Sequence, residues 1–222
     1  MGQEYTRTLN IISDGAPNAT IQLYDDLNGG LMWEKDTGLG DCVIELTTTK
    51  GFSYLRSLHL KTRTTDAAEG DDVTVSRSFP YPGQLKIAVE ALFYIADISK
   101  LQSICLSCNY ANGVNAYLSE LMWLAADNKF YFRTGEETSY EIPNAIQPLL
   151  SGAWQKISFE IDVNTNQYIK AIINNISYPT PNISIQNQGA FTYVVSSILL
   201  SIITIGAEPA EAWFDNIAVR VI

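Results

Sequence analysis

Leu85-Lys86-Ile87-Ala88-Val89-Glu90-Ala91-Leu92-Phe93-Tyr94-Ile95 is the stretch that decides the fold. Leu85, Ile87, Val89, Ala91, Phe93 and Ile95 take its odd positions, opposed by Lys86, Ala88 and Glu90 on the even ones. Successive side chains of an extended chain leave on opposite faces, so this period of two predicts a central core strand. Tyr94 falls on its polar face. Towards the N-terminus the same signature recurs at 19–24, 31–33, 42–48, 54–64 and 72–79. These runs are punctuated by turn-rich clusters such as Asp25-Asp26-Leu27-Asn28-Gly29-Gly30 and Pro80-Tyr81-Pro82-Gly83. Towards the C-terminus, 118–125 and 129–134 flank Asp127-Asn128, a hairpin-turn pair, and 154–161 and 168–176 flank Asn164-Thr165-Asn166. Pro179-Thr180-Pro181-Asn182 reads as a loop, the run near 198–205 as a buried strand, and Ala212 to Ile222 as the strand that closes the fold.

Helical periodicity is nearly absent, and the connections are too short for crossover helices. An all-β fold follows: two antiparallel sheets packed face to face, with jelly-roll order as the favoured topology. At 222 residues the chain reads as a single β-sandwich domain, 1–222, in which 1–18 form an N-terminal extension or arm.

Hydrophobic residues make up 46% of the chain and charged residues 17%, too apolar for disorder and too interrupted for a membrane span. Even Phe191 to Ile205, the most apolar stretch, is shorter than a bilayer crossing and contains Ser196, Ser197, Ser201 and Thr204. Fourteen Lys and Arg stand against 24 Asp and Glu, a formal charge of -10. That field repels phosphate backbones, so nucleic acid is excluded as a partner, while cations and neutral sugars remain compatible. The start, Met1 to Arg7, lacks the basic start and apolar run of a secretory leader, so a leader was either removed or never present. Cys105-Leu-Ser-Cys108 matches a CxxC spacing, but with Cys42 distant and His59 the single histidine it does not make up a zinc site. Buried free thiols are expected.

Two stretches carry a family resemblance. Gly152-Ala153-Trp154-Gln155-Lys156-Ile157-Ser158-Phe159-Glu160-Ile161-Asp162, followed by 168–178, resembles a hairpin of concanavalin-A-like lectin, laminin-G-like and glucanase sandwiches. Ala212-Trp213-Phe214-Asp215-Asn216-Ile217-Ala218-Val219 resembles the last strand of jelly-roll carbohydrate-binding modules. The resemblance implies a concanavalin-A-like jelly-roll sandwich. It also implies a structural calcium held by Asp215 with acids near the first strand, where this chain has Asp25 and Asp26. Calcium takes six to eight oxygens, so backbone carbonyls would have to complete the set. By strict alternation Asp215 shares its face with Ile217, Val219 and Val221, and an inward carboxylate needs partners. Either calcium or backbone N–H groups at the strand mouth supply them.

In laminarinase-type sandwiches the paired acids of glycoside hydrolysis lie on one strand as Glu-x-Asp-x-x-Glu. Here Glu160-Ile161-Asp162-Val163-Asn164-Thr165 keeps the first two acids and has Asn164 and Thr165 where the second Glu should fall. The chain is therefore expected not to be an enzyme. His59, on the Ser57 and Lys61 side of its strand, reads as a surface or edge residue without a nucleophile to serve.

Aromatic platforms stack on pyranose rings, and the candidates for a ligand-binding face are Trp123 with Tyr131 on the Asp127-Asn128 hairpin, and Tyr94. Trp33, Trp154 and Trp213 read as packing residues at the sandwich edge. The leading expectation is a noncatalytic, lectin-like module that recognises glycans or another surface. The alternative is a structural accessory protein of a large assembly such as a phage virion (capsid decoration, head-fibre or tail component), oligomeric and in contact with capsid or tail proteins.

Overall fold

The computed structural model describes residues 20–222 apart from 26, 28, 29, 39, 53–55, 84, 146 and 147. The N-terminal arm expected at 1–18 lies outside the described residues, as does Asp26. The first half of the chain forms strands β1 (Thr20–Asp25), β2 (Glu34–Gly38), β3 (Val43–Thr47), β4 (Ser57–Lys61), β5 (Asp72–Ser78), β6 (Lys86–Ile95), β7 (Leu101–Asn112) and β8 (Asn115–Leu124). There follow β9 (Lys129–Arg133), β10 (Ser139–Glu141), β11 (Trp154–Asp162), β12 (Gln167–Ile173), β13 (Ile176–Ser184), β14 (Gln186–Ala190), β15 (Val194–Thr204) and β16 (Glu211–Val221).

One sheet runs β13-β12-β11-β6-β16-β4-β3, with β1 also paired to β16; the other runs β10-β9-β8-β7-β15-β5-β2, with β14 on β8. These are called the β6 sheet and the β7 sheet. All pairings between strands are antiparallel, and the two layers make the jelly-roll sandwich that the alternation predicts. The odd residues of β6, Ile87, Val89, Ala91, Phe93 and Ile95, are wholly buried and join Val73, Val75, Leu106, Phe132, Ile198, Leu200 and Ile202 of the other sheet in one core. Each large aliphatic side chain sealed there stabilises the fold by about 1.5–3 kcal/mol. Leu85, by contrast, precedes the strand and is exposed.

Turn chemistry departs from the sequence reading in three places. The strand expected at 168–176 is cut by Asn174-Asn175, which take φ of 48° and 69° and form a two-residue hairpin in which Ile173 pairs with Ile176. Both φ values are positive, as a type I′ turn requires, and Asn tolerates them. Pro179 and Pro181 lie inside β13 rather than in a loop, because β13 is an edge strand and a missing N–H faces no partner. The β8–β9 connection occupies 125–128, not Asp127-Asn128 alone, with Asn128 at φ 56°.

One side chain stitches the layers together. Tyr168 rises from β12, stacks on Phe132 at 4.0 Å, and its hydroxyl accepts from the Glu120 N–H at 2.8 Å while donating to the Arg133 carbonyl at 2.9 Å. It stands where the β8–β9 ladder stops, one pair beyond Leu121 and Phe132. Tyr168→Phe strands a buried donor and a buried acceptor, so denaturant unfolding is expected to show a loss of about 1–3 kcal/mol. A loss within error would show that the two backbone groups find other partners.

A bulge in β16 changes which residues face the core. Its pairing with β6 runs from Ala212 opposite Ile95 to Asp215 opposite Leu92, then resumes one residue out of step at Ala218 opposite Glu90. Asn216, at φ 48°, occupies the inserted position. Ala212 and Phe214 face the core before the bulge, Ile217 and Val219 after it. The strict alternation that turned Asp215 inward is thus corrected: the extra residue reverses the parity, and Asp215 leaves on the outer face.

Candidate functional site

Because Phe93 and Phe214 point into the core, their neighbours Tyr94 and Trp213 must point out. The register then sets five side chains abreast on the outer face of the β6 sheet: Glu45 of β3, His59 of β4, Trp213 of β16, Tyr94 of β6 and Trp154 of β11. Adjacent strands lie about 4.8 Å apart, which brings the rings into contact. His59 stacks on Trp213 at 4.5 Å with the planes 6° apart; Tyr94 meets Trp213 edge-on at 5.7 Å and Trp154 at 5.8 Å.

The connection between β3 and β4 folds back over this row. Phe52 sets its ring against Trp154 at 5.7 Å, and the Lys50 ammonium sits 4.8 Å above the Tyr94 ring and 3.4 Å from its hydroxyl. Asp215 holds the connection down. Its wholly buried carboxylate accepts from the Phe52 N–H at 3.0 Å and the Asn216 N–H at 2.7 Å. Trp213 is only 7% exposed whereas Phe52 is 49% exposed, so the row is closed at the His59 end and open between Tyr94, Trp154 and Phe52.

Polar groups frame the rings. His59 Nδ1 lies 3.2 Å from Glu45, and Glu211 joins Lys61 at 2.5 Å. Ser57 Oγ, His59 Nε2 and Trp213 Nε1 are buried on this face without a hydrogen-bond partner among the described residues; Glu211 is 3.7 Å from His59 Nε2, too far for a hydrogen bond. Further along, Glu90 receives Arg220 at 2.5 Å and Lys156 at 3.0 Å, and Glu160 receives Lys170 at 2.9 Å.

Of the residues singled out in the sequence, Tyr94 belongs to this row. Trp123 does not: it faces the core beside Phe130, is 2% exposed, and donates Nε1 to Asn128 at 3.0 Å. Tyr131, opposite Met122, leaves the same hairpin on the other face. Its hydroxyl donates to Asp127, chiefly for which reason the phenol is raised to about 12. Alternation therefore divides the expected Trp123–Tyr131 platform between the two sides of the sheet.

Of the expected calcium ligands Asp215, Asp25 and Asp26, the two that are described, Asp215 and Asp25, are likewise divided. Asp25 stands opposite the inward Ile217 and so faces between the layers, where it takes the Leu27 N–H at 2.8 Å, the Trp33 indole N–H at 2.9 Å and the Arg77 guanidinium. Asp215 is on the opposite face of the same sheet, so the two carboxylates do not address one cation. Among the described residues no three His, Cys, Asp or Glu side chains gather as metal ligands. Cys105 and Cys108 are buried free thiols on opposite faces of β7, the latter pushed up to about 12 by burial.

His59, expected as a surface or edge residue, is instead packed on Trp213 in an inner strand, and Trp154 and Trp213 are members of the row rather than edge packing. Parity against Phe93, Phe214 and Ile157 was the available signal; the alignment of five strands was not. The glucanase-like acids are both engaged, Glu160 with Lys170 and Asp162 as acceptor for the Asn164 and Thr165 N–H groups at 3.0 and 3.1 Å.

No protein-family model matches this chain, and no curated protein matches it in sequence. Solved structures do share its fold. A conserved carbohydrate esterase from the Shiga toxin-encoding bacteriophage phi24B superposes with a TM-score of 0.65 at 12% identity, over 92% of this chain and 99% of that one. The cellulose-induced protein Cip1 superposes at 0.54 and 12% identity, over 89% and 96%. A sialidase matches 91% of this chain at 0.55 and 13% identity, although the match spans only 18% of the sialidase. At these identities the likeness is one of architecture.

Proposed function

We propose that this protein is a noncatalytic carbohydrate-recognition sandwich that binds a glycan across the outer face of the β6 sheet. The observation that carries the reading is the cross-strand row Trp213, Tyr94 and Trp154, with Phe52 beside its open end. Sugar rings present C–H faces that stack on such planes, while their hydroxyls need the donors and acceptors at the rim, here Lys50, Lys156, Glu45 and Glu211. The noncatalytic part is supported by the engagement of Glu160 and Asp162, since a glycosidase keeps two carboxylates available across the scissile bond. The carbohydrate esterase of phage phi24B agrees with this reading in architecture alone.

Titration of tryptophan fluorescence and heat with a panel of neutral and acidic oligosaccharides tests it. Saturable binding is expected, weakened about tenfold or more in Trp154→Ala, since one lost stacking partner is worth about 1.5 kcal/mol, and unchanged in Tyr131→Phe on the other sheet. Binding to no member of the panel overturns the proposal.

A second reading, a structural component of a large assembly, draws on a different place. Val114, Phe191, Tyr193, Val194 and Val195 are exposed where the β7–β8 and β14–β15 connections meet, Tyr193 at 71%. Exposed apolar groups gathered in this way mark interaction surfaces. Three of the sheet edges are poor alternatives for assembly, because β13 contains two prolines, β10 is three residues long and β2 is bulged. Defined oligomers that dissociate in Tyr193→Ser, with no sugar bound by any form, favour this reading over the first.

A further inference from the structure

We propose that the ligand of the β6-sheet face is an acidic glycan, one whose sugar carboxylate is received by Lys50. The inference rests on the glycan reading above and adds the chemical class of the sugar. The cations on that face differ in their partners. Lys61, Lys86, Lys156, Lys170 and Arg220 each lie within 4.0 Å of a carboxylate, from Glu211, Asp162, Glu90, Glu160 and Glu90 respectively. Lys50 forms no such pair among the described residues. Its ammonium is held instead over the Tyr94 ring, at the rim of the open end of the aromatic row.

An ammonium so placed is half prepared for an anion. Its side chain is already confined against Tyr94, so less rotamer freedom is lost on binding than for a free surface lysine. The π face of Tyr94 stabilises the cation without neutralising it. A uronic acid matches the geometry: its ring stacks through C–H groups, and its carboxylate projects from the ring edge, towards the rim where the ammonium lies. The acidic balance of the whole chain, -10, repels such a ligand at long range, so the attraction must be local and should weaken with salt.

The test uses the intact protein and uronate oligosaccharides (galacturonate, glucuronate and mannuronate), each beside its methyl ester, with a sulfated neutral oligosaccharide as a further arm. Calorimetry at low salt is expected to show a uronate bound about fivefold more tightly than its ester, the upper range for one exposed charge pair. Lys50→Met, which keeps an apolar stem over Tyr94, removes that preference, so that uronate and ester bind it with equal affinity; Lys50→Arg retains the preference. Melting temperatures of both variants should match the parent, since Lys50 is exposed. Equal affinity for acid and ester, a preference that survives in Lys50→Met, or sulfated sugar bound as tightly as uronate each overturns the carboxylate assignment while the glycan-binding face stands. No binding by any sugar overturns both.

Discussion

Above about pH 9 the protein is expected to lose stability steeply. Cys108, Tyr110 and Tyr168 are sealed between the sheets and Cys105 is buried on the other face of β7, and burial raises each above its ordinary value of 9.0 for a thiol or 10.0 for a phenol, Cys108 to about 12. The unfolded chain releases these protons near the ordinary values, whereas the folded protein retains them. Their contribution is therefore complete below the unfolded pKa and is lost as pH rises towards the folded one, at about 1.4 kcal/mol per pH unit for each group. Once all four titrate in the unfolded chain the slope is about 5 kcal/mol per pH unit, against a typical total of about 5–15 kcal/mol. Thermal melts should be level from neutrality to about pH 9 and collapse over the next two units or so, and tyrosinate absorbance should develop its last component together with unfolding. A melting temperature still level at about pH 11 would mean that these groups ionise in the native state, contrary to their burial.

Asp215→Ala is expected to cost about 2–5 kcal/mol, because the Phe52 and Asn216 N–H groups both lose a buried charged acceptor. The effect reaches beyond stability. Asp215 is what ties the β3–β4 connection to the outer face, and that connection delivers Phe52 to Trp154 and Lys50 to Tyr94. Any oligosaccharide bound by the parent should therefore bind more weakly to the variant even at temperatures where it is fully folded. Asp215→Asn keeps one acceptor and should fall between the two. Denaturant titration beside calorimetry of the folded variant checks both parts; an Asp215→Ala protein with the parent's stability and affinity would remove Asp215 from this role.

Much of the architecture is legible in local pattern. The alternation of β6 identifies a strand with one face wholly in the core, and the alternating Val73 and Val75 of β5 and Ile157, Phe159 and Ile161 of β11 do the same. These signals survive because burial acts residue by residue. Where pattern misleads, a single backbone conformation is responsible: the positive φ at Asn174 and Asn175 that ends β12, and at Asn216 that inserts a residue into β16. Asn is common in loops, strands' ends and bulges alike, so its identity does not announce which of these it makes.

The candidate site was less accessible. Tyr94 is recognisable as an aromatic on a polar face, but its partners are 60 to 120 positions away in some cases, and nothing local tells Trp213 and Trp154 to flank it. Trp123 shows the converse, an aromatic that resembles a platform and is packed into the core. The sequence by itself determined the strand faces and the acidic balance, because side-chain alternation and charge belong to each segment alone. Only the tertiary structure decided which strands stand side by side, that the β16 bulge turns Asp215 outward, and that Glu45, His59, Trp213, Tyr94 and Trp154 form one row. Strand order and register depend on contacts between distant segments, and a shift of one residue sends every side chain to the other face.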